Sequence, residues 1–352
     1  MLGVAYATEL KAIGRAAGLD AVGIAAARPF GGTRRDLETR RAAGLHGGMA
    51  FTYRNPARST DPARTVPGAA SLVVGAHAYP HADPPAPSSR RHRPHGRVAA
   101  YAPSDHYAVL RASLGAVAAR LRADGWRARV VVDDNALVDR EAAYRAGLGW
   151  YGKNANLLLP GRGSWFVLGS VITAAPLPAD PAPVADGCGS CHRCVDACPT
   201  GAIVAAGVID ARRCLAWLLQ APGSFPEELR VALGDRLYGC DECQTACPIN
   251  RRAEIEAHPE AEDEDGGTFV DALAILAASD DDLIARYGRW YIPRREPRYL
   301  RRNALVVLGN VGDGHDPAVR RTMQRYVDDP DPMLREHAQW AARRLHLVGA
   351  AR

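Results

Sequence analysis

The chain has 352 residues, 47% hydrophobic and 24% charged, with a formal net charge of +5 and 8 cysteines. That length suits two or three domains of about 100–200 residues each, and the composition excludes a disordered or fibrous chain. No apolar run reaches the roughly eighteen residues of a membrane span, and a mild basic excess by itself singles out no partner.

Residues 4 to 18 carry Leu10, Ile13 and Ala17 at helical spacing and close on Gly18. The apolar run 21–25 reads as a strand. Residues 34 to 43 read as a polar helix, entering the glycine-rich loop Gly44-Leu45-His46-Gly47-Gly48-Met49. A buried strand follows at 71–76. Residues 80 to 97 hold several prolines with His81, His92 and His95, the pattern of a long surface loop. A long helix is predicted over 104–124 and a strand over 129–133. Strand, helix and strand then alternate to 164–173, so this half is expected as an α/β sheet domain. An acidic stretch, 254–265, reads as a solvated linker or cap. Helical spacing fills 268–279, 281–287, 298–311, 315–328 and 332–346. Its last two segments meet at Asp328-Asp329-Pro330-Asp331-Pro332, a stop-and-restart signal. Paired short helices of this kind point to a HEAT-like repeat.

All the cysteines lie between 188 and 247. Cys188, Cys191, Cys194 and Cys198, followed by Pro199, reproduce the bacterial ferredoxin run C-x2-C-x2-C-x3-C-P. Cys240, Cys243 and Cys247 with Pro248 keep the last three positions of a second run, and Leu237 stands where its first cysteine would be. Cys214 is the remaining thiol to fill that vacancy. The crossed pairing of two-cluster ferredoxins then gives one 4Fe–4S cluster to Cys188, Cys191, Cys194 and Cys247. The other goes to Cys198, Cys214, Cys240 and Cys243. Structural zinc also uses Cys-x2-Cys pairs but not the proline-terminated triple run. The N-terminal residues lack the charged-then-apolar layout of a signal peptide, which argues against disulfides. Ligands that must stay reduced fit a cytoplasmic setting.

Clusters alone would permit pure electron transfer. The stretch Val132-Asp133-Asp134-Asn135-Ala136-Leu137-Val138-Asp139-Arg140 argues for more, because it places a carboxylate at the C-terminal end of a strand. Open α/β sheets bind ligands there, and the carboxylate could be a general acid. It could equally cap the following helix; the spacing leaves both open.

Here the chain resembles the epoxyqueuosine reductase family, which performs the last step of queuosine biosynthesis in tRNA. The resemblance rests on Leu45-His46-Gly47-Gly48-Met49 with Asp61-Pro62 and Val66-Pro67-Gly68, and on Gly96-Arg97-Val98-Ala99-Ala100-Tyr101. It continues through Val132–Arg140, Ala146-Gly147-Leu148-Gly149-Trp150-Tyr151-Gly152-Lys153-Asn154, the cysteine framework and Leu300-Arg301-Arg302-Asn303-Ala304 with Leu308-Gly309-Asn310. It implies a cobalamin-dependent reduction fed by the two clusters, with Asp133 as the proton donor that helps expel the epoxide oxygen as water. For that task the acid needs a raised pKa. The chain departs from the family at Asp134-Asn135-Ala136, where a small residue, then Gly or Ala, then Pro is usual. It departs again at Asp105-His106-Tyr107, where the family has Asp-Tyr-His. Asp313-Gly314-His315 comes nearest to a lower-ligand motif for cobalamin but ends in Ala318 and reads as a surface turn.

Tyr53, Arg54, Lys153, Asn154 and Ser164 are candidates for lining a corrin pocket between the sheet and the Cys240–Cys243 loop. For tRNA the candidates are Arg140, Arg289, Arg294, Arg295, Arg298, Arg301 and Arg302, several of them interleaved with Trp290, Tyr291 and Tyr299; basic and aromatic side chains suit phosphate contacts and stacking. The alternative is a solvated face with Trp290 in the core. The expected architecture is an α/β catalytic domain (1–179), a ferredoxin-like two-cluster domain (180–266) and a HEAT-like all-α domain that grips tRNA (267–352). The protein is expected as a monomer served by an external flavodoxin or ferredoxin. The competing readings are a cobalamin-dependent reductive dehalogenase and a ferredoxin-like carrier. The arginine-rich tail speaks against the first, and the large sheet domain against the second.

Overall fold

The structure is a computed structural model that describes residues 3–79, 93–256 and 268–347. His81 and His92, most of the expected 80–97 loop and most of the acidic 254–265 stretch lie outside the described residues.

The first sheet has four strands in the order Ala21–Ala26, Ser71–Ala78, Phe166–Thr173, Ala128–Val132. Their residues alternate between two cores, as a period-2 strand requires. Val73 packs with Leu10, Leu110 and Leu114 beneath the helices Val4–Ala16 and His106–Ala123. Its neighbours Leu72 and Val74 face Phe30, Val66 and Leu137 on the other side. Each fully buried leucine here contributes about 1.5–3 kcal/mol. Gly75 stands opposite Gly169 in register, and a Cβ on Gly75 would come within 2.8 Å of Leu19.

The expectation of an α/β sheet needs correcting in one respect. Strand–helix alternation predicts parallel pairing, but all three pairings are antiparallel. The cause is local. The chain leaves the 128–132 strand and re-enters the 166–173 strand beside it at the same sheet end, and the intervening residues pack back onto one face, Ala142, Ala146 and Leu148 against Ala25 and Leu72.

A second sheet joins parts of the chain that the sequence assigned to separate domains. Its strands run Arg236–Tyr238, His95–Val98, Phe269–Asp271, the outer two parallel and antiparallel to the middle one respectively. Residues 95–98, expected within a surface loop, are its central strand, and 269–271 is strand where helix was expected. A Cβ on Gly96 would sit 2.6 Å from that of Leu237, so the glycine is what lets these strands close.

The C-terminal helices Ala272–Ala277, Asp280–Tyr287, Arg298–Val311, Pro317–Tyr326 and Pro332–Arg344 follow the predicted segments closely. Asp271, Ser279, Asp316 and Asp331 cap four of them through their side chains, and proline opens the last two. Their core is continuous with that of the cysteine-bearing segment: Leu215, Leu219, Phe225 and Leu237 pack with Leu300, Val307 and Trp340. Among the described residues no helix is long and apolar enough to cross a membrane.

Candidate functional site

The eight cysteines are free and half-buried. Burial pushes the Cys194 thiol up, and the neighbours adding to that push are Cys188, Cys247 and Cys191. Cys214 feels Cys198, Cys240 feels Cys214, and Cys243 feels Cys240 and Cys214. Among the described residues no three His, Cys, Asp or Glu side chains gather tightly enough for a single ion; thiolates around a cage of iron and sulfide must stand wider than that. Burial also acts on Cys198, but the N–H groups of Thr200, Ala202 and Ile203 overcome it and hold its thiol below the ordinary range. The Ala202 N–H donates to Cys198 Sγ at 3.2 Å. These features fit two four-thiolate clusters.

Polar bonds clamp the cysteine segment to the sheet domain. Asn250, fully buried, accepts the Ser164 N–H at 2.7 Å and donates to the Gln244 carbonyl at 2.8 Å. Ser164 Oγ donates to Gln244 Oε1 at 2.9 Å, Asn154 Nδ2 to the Cys243 carbonyl at 3.2 Å, and Lys153 Nζ to the Gly189 carbonyl at 2.8 Å. Ser164 and Asn154, candidates for lining a corrin pocket, are instead buried joints, and Lys153 is committed to a cluster loop. Tyr53 and Arg54 keep more open positions. The Gly96–Tyr101 block is a second joint: the Ala100 N–H donates to Asp241 at 2.7 Å and Arg97 to Glu242 at 2.9 Å.

Asp133 follows the last residue of the 128–132 strand with φ at +51°. A non-glycine residue in that region costs about 1–2 kcal/mol, and such strain collects at functional sites. The next residues fix the loop. Asp134 accepts the Ala136 N–H at 2.9 Å, and Asn135 Oδ1 accepts the Thr52 N–H at 2.6 Å. The Val138 N–H donates to the Ser59 carbonyl at 3.0 Å. Neither carboxylate caps the helix Asp139–Arg145, whose N-cap Val138 makes no side-chain bond; Asp134 instead closes its own turn, and Asp133 is exposed. Asp133 is reached by solvent, yet surrounding protein pushes its carboxyl above the ordinary range; Arg111 opposes that shift and Asp134 adds to it. Asp133 is thus open to solvent on one side and packed against protein on the other.

Sequence reasoning passed over the other groups near this acid. Tyr107 is half-buried, and its hydroxyl feels both Asp133 and Asp139; the inverted Asp105-His106-Tyr107 order was the available signal. Tyr238, two residues before Cys240, also feels Asp133 and links the acid to the cluster segment. Its ring stacks on Trp290 with centroids 4.5 Å apart.

The arginine candidates divide. Arg302 is 1% exposed and donates to the carbonyls of Leu218, Leu219, Ala221 and Gly223, so it is structural and closed to a phosphate. Arg289 donates to the carbonyls of Ala102 and Pro103. Trp290 is core, its Nε1 bonded to the Ala102 carbonyl at 2.9 Å, which removes it as a stacking platform. Arg301 pairs with Asp280, and Arg298 with Glu296 and Asp331. Arg140 and Arg294 are exposed, and Arg294 and Arg295 form a turn with φ of +52° and +57°. Tyr291 is 57% exposed.

Eight thiols on a segment clamped to the domain that carries a raised acid define an iron–sulfur redox enzyme. A model of the 4Fe-4S double cluster binding domain matches residues 187–250, and one described as Epoxyqueuosine reductase QueG, DUF1730 matches 59–134. An epoxyqueuosine reductase of Bacillus cereus is 35% identical over 336 residues, spanning 95% of this chain and 87% of that one. The crystal structure of an epoxyqueuosine reductase with an epoxyqueuosine-modified tRNA-Tyr stem loop superposes with a TM-score of 0.89 at 32% identity, over 97% of this chain and 90% of that one. A Bacillus subtilis epoxyqueuosine reductase, solved with its catalytic loop swung out of the active site, gives 0.88 at 32% identity over the same shares. This chain belongs to the epoxyqueuosine reductase family.

Proposed function

We propose that the chain reduces epoxyqueuosine to queuosine at the wobble position of tRNA, with Asp133 as proton donor. The observation that carries this is the Asp133 carboxyl, strained, partly desolvated and within electrostatic reach of Tyr238, two residues before Cys240. An electron carrier has no use for such an acid. A carboxyl above its ordinary range keeps its proton until a developing alkoxide takes it.

Cobalamin would supply the low-potential reducing centre. Tyr53, half-buried, and Arg54, exposed, are the candidates left to hold it, since the Thr52–Asn135 bond sets them next to the acid loop. Electrons come from a flavodoxin or ferredoxin through clusters on Cys188, Cys191, Cys194, Cys247 and on Cys198, Cys214, Cys240, Cys243. The anticodon stem is met by Arg140, Arg294 and Arg295, with Tyr291 beside them, and by the outer guanidinium faces of Arg298 and Arg301. The helices from 267 onward form the HEAT-like repeat that presents four of these five arginines. The protein works as a cytoplasmic monomer. The domain division 1–179, 180–266, 267–352 then describes roles rather than separate cores.

The test is anaerobic reconstitution with iron, sulfide and cobalamin, a strong reductant and an epoxyqueuosine-bearing stem-loop. Loss of one oxygen from the nucleoside, abolished in Asp133→Asn and kept in Asp134→Asn, is expected. No loss in fully loaded protein overturns the reading.

A further inference from the structure

One group near Asp133 has no part in the scheme so far. Asp139 is the first residue of the helix Asp139–Arg145, and its Oδ1 is buried with no hydrogen-bond partner. Asp139 is half-buried as a residue, but an ionised carboxylate oxygen left in that state is penalised. A neutral carboxylic acid avoids most of that cost. The groups acting on it all belong to the site: Asp133 and Asp134 raise its pKa and Arg140 lowers it, on top of burial that pushes it well above the ordinary range. From the helix His106–Ala123, Tyr107 feels Asp139 and Asp133 together. The loop between the two acids is pinned by Asn135 and by the Val138–Ser59 bond, so their separation is fixed by the fold.

The stoichiometry of the reaction calls for such a group. Removing an epoxide oxygen breaks two C–O bonds, forms one C=C bond and releases water, which takes two electrons and two protons. The electrons come from a low-potential one-electron carrier of the flavodoxin or ferredoxin class. Asp133 holds one proton. Once it has given that proton, a carboxylate covered by substrate has no open path to bulk water for the second.

Resting on the proposed reaction, we infer that Asp139 is the second acid of the site: it stays protonated in the resting enzyme and, through a bridging water, returns a proton to the Asp133 carboxylate within the same turnover. Asp139 acts through Asp133 and does not touch the substrate.

The reconstituted holoenzyme and its Asp139→Asn and Asp139→Glu variants test this. Infrared difference spectra at neutral pH should show a protonated-carboxyl band, sensitive to D2O, that disappears in Asp139→Asn. In that variant kcat should fall roughly 100-fold, the low end of the usual range for a proton-transfer group. KM for the stem-loop and cobalamin content should hold, and the limb of the pH profile that reports the acid should move. Asp139→Glu should restore both band and rate in part. An unchanged kcat and pH profile in Asp139→Asn overturns the inference, as does a band that survives there and vanishes in Asp133→Asn. Loss of cobalamin from Asp139→Asn with normal turnover per bound cofactor also overturns it, making the buried oxygen a cofactor contact. If wild-type holoenzyme leaves the epoxide intact, the proposed reaction itself falls, and an infrared band in that protein separates the two failures.

Discussion

Arg302 lies in the basic stretch that the sequence offers to tRNA, and replacing it separates two physical roles. Its guanidinium donates to the Ala221 and Gly223 carbonyls at 2.8 and 2.6 Å and to the Leu218 and Leu219 carbonyls at 3.0 and 3.3 Å. These carbonyls close the short helix Leu215–Leu218, which begins next to Cys214. Burial pushes the guanidinium pKa down to about 10, so it remains charged at neutral pH. Arg302→Met keeps the apolar stem and removes the cation, orphaning the carbonyls. Removing one partner of a buried charged network costs about 3–5 kcal/mol. At about 2 °C per kcal/mol for a long chain, the thermal midpoint should fall by roughly 6–10 °C. Anaerobic thermal unfolding of cluster-loaded protein reads this, alongside stem-loop affinity over a salt series. Below the midpoint the salt slope should match wild type. An unchanged midpoint with a slope smaller by about one would refute the reasoning and make Arg302 a phosphate contact.

Cys214→Ser should remove one cluster and about half the iron, leaving the signal of the set containing Cys188; full iron retention would refute the crossed assignment. Gly239 has φ of +72°, and a Cβ there would meet that of Ala99 at 2.5 Å, whereas Gly125, at +84°, has open space. Gly125→Ala should therefore cost about 1–2 kcal/mol from backbone strain alone, and Gly239→Ala about 1–3 kcal/mol more. Equal denaturation midpoints would show that the strands relax freely. For Asp133 the folded pKa exceeds the unfolded one. The folded state thus binds more protons between the two values, and stability falls as pH rises through that window. Asp133→Asn should flatten this slope in denaturant titrations at mildly acidic pH, and an unchanged slope would mean the carboxyl is not desolvated.

The sequence reveals features whose physics is local. Cysteine spacing shows the cluster sets because a cage of fixed size dictates gaps of fixed length. Capping aspartates and prolines show the C-terminal helices because helix ends are satisfied by nearby residues. What stayed hidden depends on distant partners. Whether Arg302 or Trp290 faces solvent is decided by carbonyls 80 residues or more away in the chain, and no periodicity carries that information. The 95–98 strand follows a stretch rich in proline and histidine, and its pairing with Arg236–Tyr238 and Phe269–Asp271 is a long-range event. Asp133 and Asp134 are adjacent and chemically alike. Only the Asp134 bond to the Ala136 N–H, which closes a turn ahead of the helix, tells the two apart.

The three-strand sheet also bears on why the redox and acid parts work as a unit. Electron transfer and proton donation must meet at one substrate, so the acid loop and the cluster loops need a fixed separation. A flexible linker between independent domains would not hold it. Here the Gly96–Tyr101 block pairs with 236–238 on one side and with 269–271 on the other, while Ala100 and Arg97 grip Asp241 and Glu242 between the cluster cysteines. Tyr238 completes the path, ending one strand, stacking on Trp290 and reaching the field of Asp133. The joint combines backbone pairing with the partly buried ion pairs Arg97–Glu242 and Arg236–Glu242, which salt screens less than fully exposed pairs. The C-terminal helices that close over Trp290 therefore brace the cysteine-bearing segment, since both share one core.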